Sequence, residues 1–216
     1  RSRIPVVLPR THGAGLLVLS PGVGRGHAAS LDRGARALAG AGVRRLLLRE
    51  PSLDAEEVWR LARGLLRVFP RDGLLLHEKC AGARAVAASL GGGLHLSGAA
   101  DWAAERARFG GRLGVSAHSA AEVARAAELG MQWAFLSPVF QPASKPGDTR
   151  PHLGERAVVA AQAAHPGLTL HALLPLSLLG VVAHDLLQQE DMARLATLQA
   201  AQLHHQLGAA EHEAAL

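Results

Sequence analysis

Arg49, the trio His77-Glu78-Lys79, His95, the pair Ser116 and His118, and the pair Ser144 and Lys145 all fall where short apolar runs give way to polar loops. Together they supply cations, imidazoles, hydroxyls and a carboxylate. An anion with several oxygens needs several charge-assisted donors, so the set suits a phosphorylated or pyrophosphorylated ligand. Glu78 adds a hard oxygen of the kind Mg²⁺ prefers. Each residue also has a simpler reading. Arg49 can pair with Glu50 and Glu78 with Lys79, as surface ion pairs. His95, between Leu94 and Leu96, reads first as a hydrogen-bonded core histidine and second as a base. His118 sits one residue before a helix cap and can serve as an anchor. Cys80 reads as a small buried residue, with a reactive thiol as the rival.

Among the 23 basic residues only Lys79 and Lys145 are lysines. In a chain that writes Arg wherever a plain positive charge will do, the surviving lysines read either as places where a compact point charge is wanted or as chance placements on loops. Both follow expected strands. The histidines carry no HExxH or CxxC spacing, which argues against a zinc enzyme. The cluster Pro21-Gly22-Val23-Gly24-Arg25-Gly26 lacks the third glycine of a dinucleotide fingerprint, because position 27 is His.

These residues can meet only if the elements between them bring strand ends together. Strands are expected over 15–20, 44–49, 73–77, 93–96, 113–116, 133–137, 168–172 and 180–183, as apolar runs bounded by turn signals. Helices are expected over 31–41, 54–68, 81–90, 101–109, 120–129 and 153–164, with a long final helix over 185–207. Asp54 with Glu57, and Ser119 with Glu122, read as capping boxes. Strands alternating with helices, and apolar enough to be covered on both faces, imply a parallel sheet with βαβ crossovers. Eight of them close best as a (β/α)8 barrel, with an open doubly wound sheet as the rival. In either, ligands sit at the carboxyl ends of the strands, where the polar set lies.

The chain divides on this reading into an N-terminal arm, residues 1–14, one barrel domain, residues 15–207, and a tail, residues 208–216. At 216 residues and 49% hydrophobic content it can bury one large core. No apolar run approaches the length of a membrane span, and Pro5 to Leu8 is too short for a signal-peptide core. One cysteine can form no internal disulfide, which agrees with a reducing, cytoplasmic setting. A net charge of +5 would suit nucleic acid, but the arginines are scattered and aromatic content is 3%, leaving few stacking platforms. Neither a nucleic-acid nor a membrane partner is expected, and self-association is left open.

The order of motifs Leu48-Arg49-Glu50, Gly93-Leu94-His95-Leu96, Gly114-Val115-Ser116-Ala117-His118-Ser119 and Ser137-Pro138-Val139-Phe140 with Ser144-Lys145-Pro146-Gly147 resembles the thiamine-phosphate synthase family, which includes the related thiazole tautomerases. The resemblance implies a (β/α)8 barrel that joins an aminopyrimidine methyl diphosphate to a thiazole phosphate, with Mg²⁺ and loss of pyrophosphate. Carried over by position, it implies catalytic diphosphate contacts from Arg49, Ser116 and Lys145. Ser144 would meet the thiazole phosphate, His77, Lys79, His95 and His118 would line the substrate site, and Glu78 and Asp101 would hold the metal. Asp101 lies one place past the family's second metal carboxylate, and His77 stands where Asn is usual. The chain departs from the pattern at Leu47 and Pro51, which replace Gln and Lys, and at Pro142, which replaces Thr. It reads Leu173-Leu174-Pro175-Leu176 in place of a Gly-Gly pair, followed by a shortened stretch before Gly180. Pro138 stands where a tautomerase would carry its acid-base histidine, so the synthase is the leading reading. The tautomerase and a non-catalytic phosphate-ligand binder are its alternatives.

Overall fold

A computed structural model of the chain describes residues 17–20, 22, 28–40, 42–139, 152–175 and 180–183. In chain order the elements are β1 (Leu17–Leu19), α1 (Ala28–Gly40), β2 (Arg45–Leu48), α2 (Ala55–Leu65), a 3₁₀ turn (Arg71–Gly73) and β3 (Leu74–His77). They continue with α3 (Ala83–Leu90), β4 (Gly93–Leu96), α4 (Trp102–Arg108), β5 (Arg112–Ala117), α5 (Ala120–Glu128), β6 (Trp133–Leu136), α6 (Gly154–Ala164), β7 (Thr169–Pro175) and β8 (Gly180–Ala183). The expected arm, tail and final helix, and the loop carrying Ser144 and Lys145, lie outside the described residues.

Strands β1 to β7 pair in sequence order, each parallel to the next, and β8 closes the sheet between β7 and β1. Consecutive order and closure exclude the doubly wound alternative, whose strand order reverses. The expectation of a complete (β/α)8 barrel needs correction at its last unit. β8 runs antiparallel to both neighbours, with Leu173 opposite Val182 and Leu17 opposite Val182 from the other side. Four residues, 176–179, separate β7 from β8. A parallel return needs a crossover of a dozen or more residues, so a link this short permits only an antiparallel partner.

Two of the helix starts are fixed by short-range chemistry. Asp54 accepts from the Glu57 N–H while the Glu57 carboxylate accepts from the Asp54 N–H, both at 2.9 Å, which completes the capping box of α2. At α5 the device is displaced by one residue. Ser119 Oγ accepts from the Glu122 N–H, but the Glu122 carboxylate takes the N–H of His118 at 2.6 Å.

The strands bury both faces. Val18, Leu46, Leu48, Leu74, Leu76, Leu94, Leu96, Leu113 and Val115 point outward into a shell shared with the helices, while Leu17, Leu47, Leu75, Trp133 and Phe135 pack inside the barrel. Period-two alternation makes this division. The interior admits an indole because two positions facing it have no side chain. A Cβ at Gly93 would lie 2.5 Å from Trp133, and one at Gly114 would overlap the indole ring outright. The large residue is accommodated by small ones on β4 and β5, as interdigitating barrel layers require. Arg112 lies over the same indole, its guanidinium carbon 5.5 Å from the ring centroid, at the amino-terminal end of the barrel.

Gly114→Ala is therefore expected to lower unfolding free energy by about 2–4 kcal/mol, the upper range for an overpacked core. Gly34→Ala on α1, where an added Cβ meets nothing within 4 Å, should be neutral or gain up to about 1 kcal/mol of helix propensity. Urea denaturation of the two variants checks the contrast.

Candidate functional site

The carboxyl ends of β2 to β5 carry the predicted set in adjoining positions. Arg49 follows β2, His77 ends β3, His95 lies directly beside it on β4, and Ser116 lies near the end of β5. The His77 and His95 rings stand 5.5 Å apart. His95 Nε2 lies 2.9 Å from Ser116 Oγ. Arg49 is near enough to His77 for its charge to disfavour the imidazolium. The structure thus gathers Arg49, His77, His95 and Ser116, with Lys79 exposed just beyond.

A belt of hydrogen bonds holds this rim. Arg49 N–H donates to Ser20 Oγ at 2.8 Å, and Gly22 N–H donates to the buried Glu50 carboxylate at 3.0 Å. Glu50 N–H meets Cys80 Sγ, whose thiol donates to Leu48 O. Glu50 thus anchors the loop after β1, and among the described residues no carboxylate pairs with Arg49. Cys80 is buried, and burial pushes its thiol pKa up, so its role is packing and not reactivity.

His77 is 7% exposed and accepts the Lys79 N–H at Nδ1, 3.1 Å away. Its neutral form therefore carries hydrogen at Nε2. Burial first, then the positive charges of Arg49 and Lys79, lower its pKa to about 4, against the opposing pull of Glu78. His95 is 1% exposed, and burial holds its pKa well below the ordinary value. Both of its nitrogens are engaged, because Trp133 Nε1–H donates to Nδ1 at 3.0 Å while Nε2 faces Ser116. The partners that the structure gives His95 are Trp133 and Ser116.

His118 donates from Nδ1 to Ser137 O at 2.7 Å and lies against Gly98, where a Cβ would sit 3.3 Å from the ring. It joins the end of β5 to the end of β6, which gives it an anchoring role. Ser97, which sequence reasoning passed over, gives both its N–H and its hydroxyl to Glu78 Oε1. Trp133 and the buried His171, whose ring meets Phe135 edge-on, were also missed. Alternation along β6 and β7 points both residues inward and was the available signal.

For a metal, the protein offers Glu78 after β3 and Asp101 after β4. The Ser97 donors orient Glu78, and Asp101 caps α4 by accepting the Ala104 N–H at 3.1 Å. Among the described residues no group of three or more His, Cys, Asp or Glu could hold an ion by itself. Mg²⁺ is commonly bound by one or two carboxylates, with water and substrate phosphates completing its shell, so this donor set fits it. Among the described residues no helix is long and apolar enough to cross a membrane. A hollow of about 650 Å³ is lined by Glu78 and Lys79, by the start of α3 and by Glu105 of α4.

A sequence model of the family described as thiamine monophosphate synthase matches residues 17–185. The thiamine-phosphate synthases of two strains of Thermus thermophilus are each 36% identical over 143 residues, which is 64% of this chain. The chain spans 66% of the length of those relatives. A solved structure, thiamine phosphate pyrophosphorylase from Pyrococcus furiosus, superimposes with a TM-score of 0.58 at 14% identity, covering 74% of each chain. That likeness concerns the fold.

The depressed His77 pKa carries a sign. Between about pH 6.5 and 4 the unfolded imidazole binds a proton that the folded one refuses, so stability falls as pH falls through this window. Replacing His77 with Gln should flatten the decline by on the order of 2 kcal/mol, read as the difference between urea midpoints of wild type and variant at pH 7 and pH 4.5.

Proposed function

The chain belongs to the thiamine monophosphate synthase family, and we propose that it joins an aminopyrimidine methyl diphosphate to a thiazole phosphate with release of pyrophosphate. What supports this reading is the gathering of Arg49, His77 and Ser116 at one rim beside Lys79. When the bond between the methylene carbon and the diphosphate oxygen breaks, both electrons leave with the pyrophosphate. The pyrimidine shares the positive charge left on carbon until the thiazole captures it. Little proton transfer is asked of the protein, whose main task is to grip the leaving group, and fixed donors around developing charge do this best. Neutral, buried imidazoles suit such a site as N–H donors and suit a general base poorly.

In this proposal Arg49, Ser116 and Lys145 contact the diphosphate, Ser144 contacts the thiazole phosphate, and Lys79, His77 and His118 shape the remaining wall. Glu78 and Asp101 would hold Mg²⁺, which neutralises phosphate charge when bound. The proposal includes the resemblance's complete eight-unit barrel only as far as β7. Arms and tails apart, one barrel domain in a cytoplasmic setting accords with the lone, buried Cys80.

One observation favours a second reading. β7 continues through Leu173, Leu174 and Pro175 and is followed after four residues by antiparallel β8, where a Gly-Gly phosphate loop would be expected. A non-catalytic binder of the same ligands would follow. The tautomerase has no such support, since Pro138 occupies the place of its acid-base histidine.

Supplying both substrates with Mg²⁺ should release pyrophosphate, and Arg49→Ala and Lys145→Ala should each lower kcat/KM about 100-fold, as for loss of a charge-stabilising donor. A folded sample that releases none, yet whose melting temperature rises with pyrophosphate and Mg²⁺, would favour the binder. Isomerisation of a thiazole carboxylate phosphate without metal would favour the tautomerase.

A further inference from the structure

Trp133, His95 and Ser116 form a hydrogen-bonded line from the barrel interior to its mouth. The indole N–H lies 3.0 Å from His95 Nδ1, and His95 Nε2 lies 2.9 Å from Ser116 Oγ. An indole nitrogen can only donate. Nδ1 must then present a lone pair, which leaves the ring hydrogen on Nε2. That hydrogen points at Ser116 Oγ, whose oxygen accepts it.

We infer that Trp133, acting through His95, keeps the O–H of Ser116 free to donate to an anionic ligand. The inference rests on the reading of this rim as a diphosphate site. Of the three states open to an imidazole, two are excluded by the indole. The cation and the Nδ1–H tautomer would both set an N–H against the indole N–H. The Nδ1–H tautomer would also leave Nε2 to draw the proton of Ser116, turning the serine's lone pairs toward an incoming anion and repelling it. With Nε2–H fixed, one lone pair of the serine oxygen is taken from within, and its own O–H is left for a phosphate oxygen.

The geometry can be held because the parts cannot turn. Trp133 is 3% exposed and seated over Gly93 and Gly114, while His95 stacks on Phe135 with ring centroids 4.2 Å apart. Ser116, by contrast, is only partly buried. His95 and Trp133 are thus positioning residues that need never touch substrate. They also remove His95 as a base that could activate the serine.

The test uses the full chain. In the ligand-free wild type at neutral pH, long-range proton–nitrogen correlation of ¹⁵N-labelled histidine should show His95 as the Nε2–H tautomer, with the signal assigned by its loss in His95→Gln. An Nδ1–H or cationic pattern overturns the inference, and no variant need fold for that result. Calorimetric titration with inorganic pyrophosphate and Mg²⁺ then compares Trp133→Phe, Ser116→Ala and the double variant. Trp133→Phe should admit the Nδ1–H tautomer and weaken binding about 10-fold, and adding it to Ser116→Ala should cost nothing further. Multiplicative losses would overturn the inference. So would an equal loss in Leu75→Val, which loosens the same interior cluster without removing an N–H. If the wild type binds no pyrophosphate, the diphosphate reading fails, and the His95 tautomer still decides whether the line has this polarity.

Discussion

The seating of one indole inside the barrel is the constraint on which the upper layers depend. Trp133 has room only because β4 and β5 offer glycines at positions 93 and 114, and once seated it leaves His95 a single hydrogen-bonding state. Packing density and chemical state are thereby the same fact. A barrel interior is filled in layers and not left as a pore, so what fills one layer determines what the next can present.

Above that layer the rim is tied almost residue by residue: Ser20 to Arg49, Glu50 to Gly22 and Cys80, Glu78 to Ser97, His95 to Ser116, His118 to Ser137. Most of these bonds satisfy backbone groups with side chains from a neighbouring strand end or loop. They fix loops that would otherwise be mobile, which is what a site built on loops demands of its scaffold. Among the described residues, the rim groups that can turn to a ligand include Arg49, Lys79, His77 Nε2–H and the hydroxyl of Ser116. All are donors, and the proposed chemistry draws on that one-sided character.

Much of this was legible in the sequence. Apolar runs bounded by turns located the strands, Asp54 with Glu57 marked its helix, and the strand-end placement of Arg49, His77, His95 and Ser116 followed from the βα rhythm. Three things were not legible. The GVVA run of β8 has no direction written in it; only the four residues before it say that it must return antiparallel. The engagement of His95 by Trp133 joins residues 38 apart, and no local pattern reports such a meeting. Asp101, whose place beside the family's second metal carboxylate implies a metal ligand, is also a helix cap, and that second use takes one of its two oxygens. Ser144 and Lys145 lie outside the described residues, and their part in the reading still comes from the sequence.

The antiparallel seam has a consequence for how such a chain comes into being. Of the described strands β1 is made first and β8 last, so β1 gains its second neighbour only when β8 arrives. Until then the growing sheet has two raw edges, each a template for pairing with another chain. Contacts between strands this far apart in sequence are slow to form because a long loop must close before they repay its entropy. A nascent or truncated chain lacking 180–183 should thus be prone to edge-to-edge association, and this short closing strand guards solubility as much as it completes the architecture.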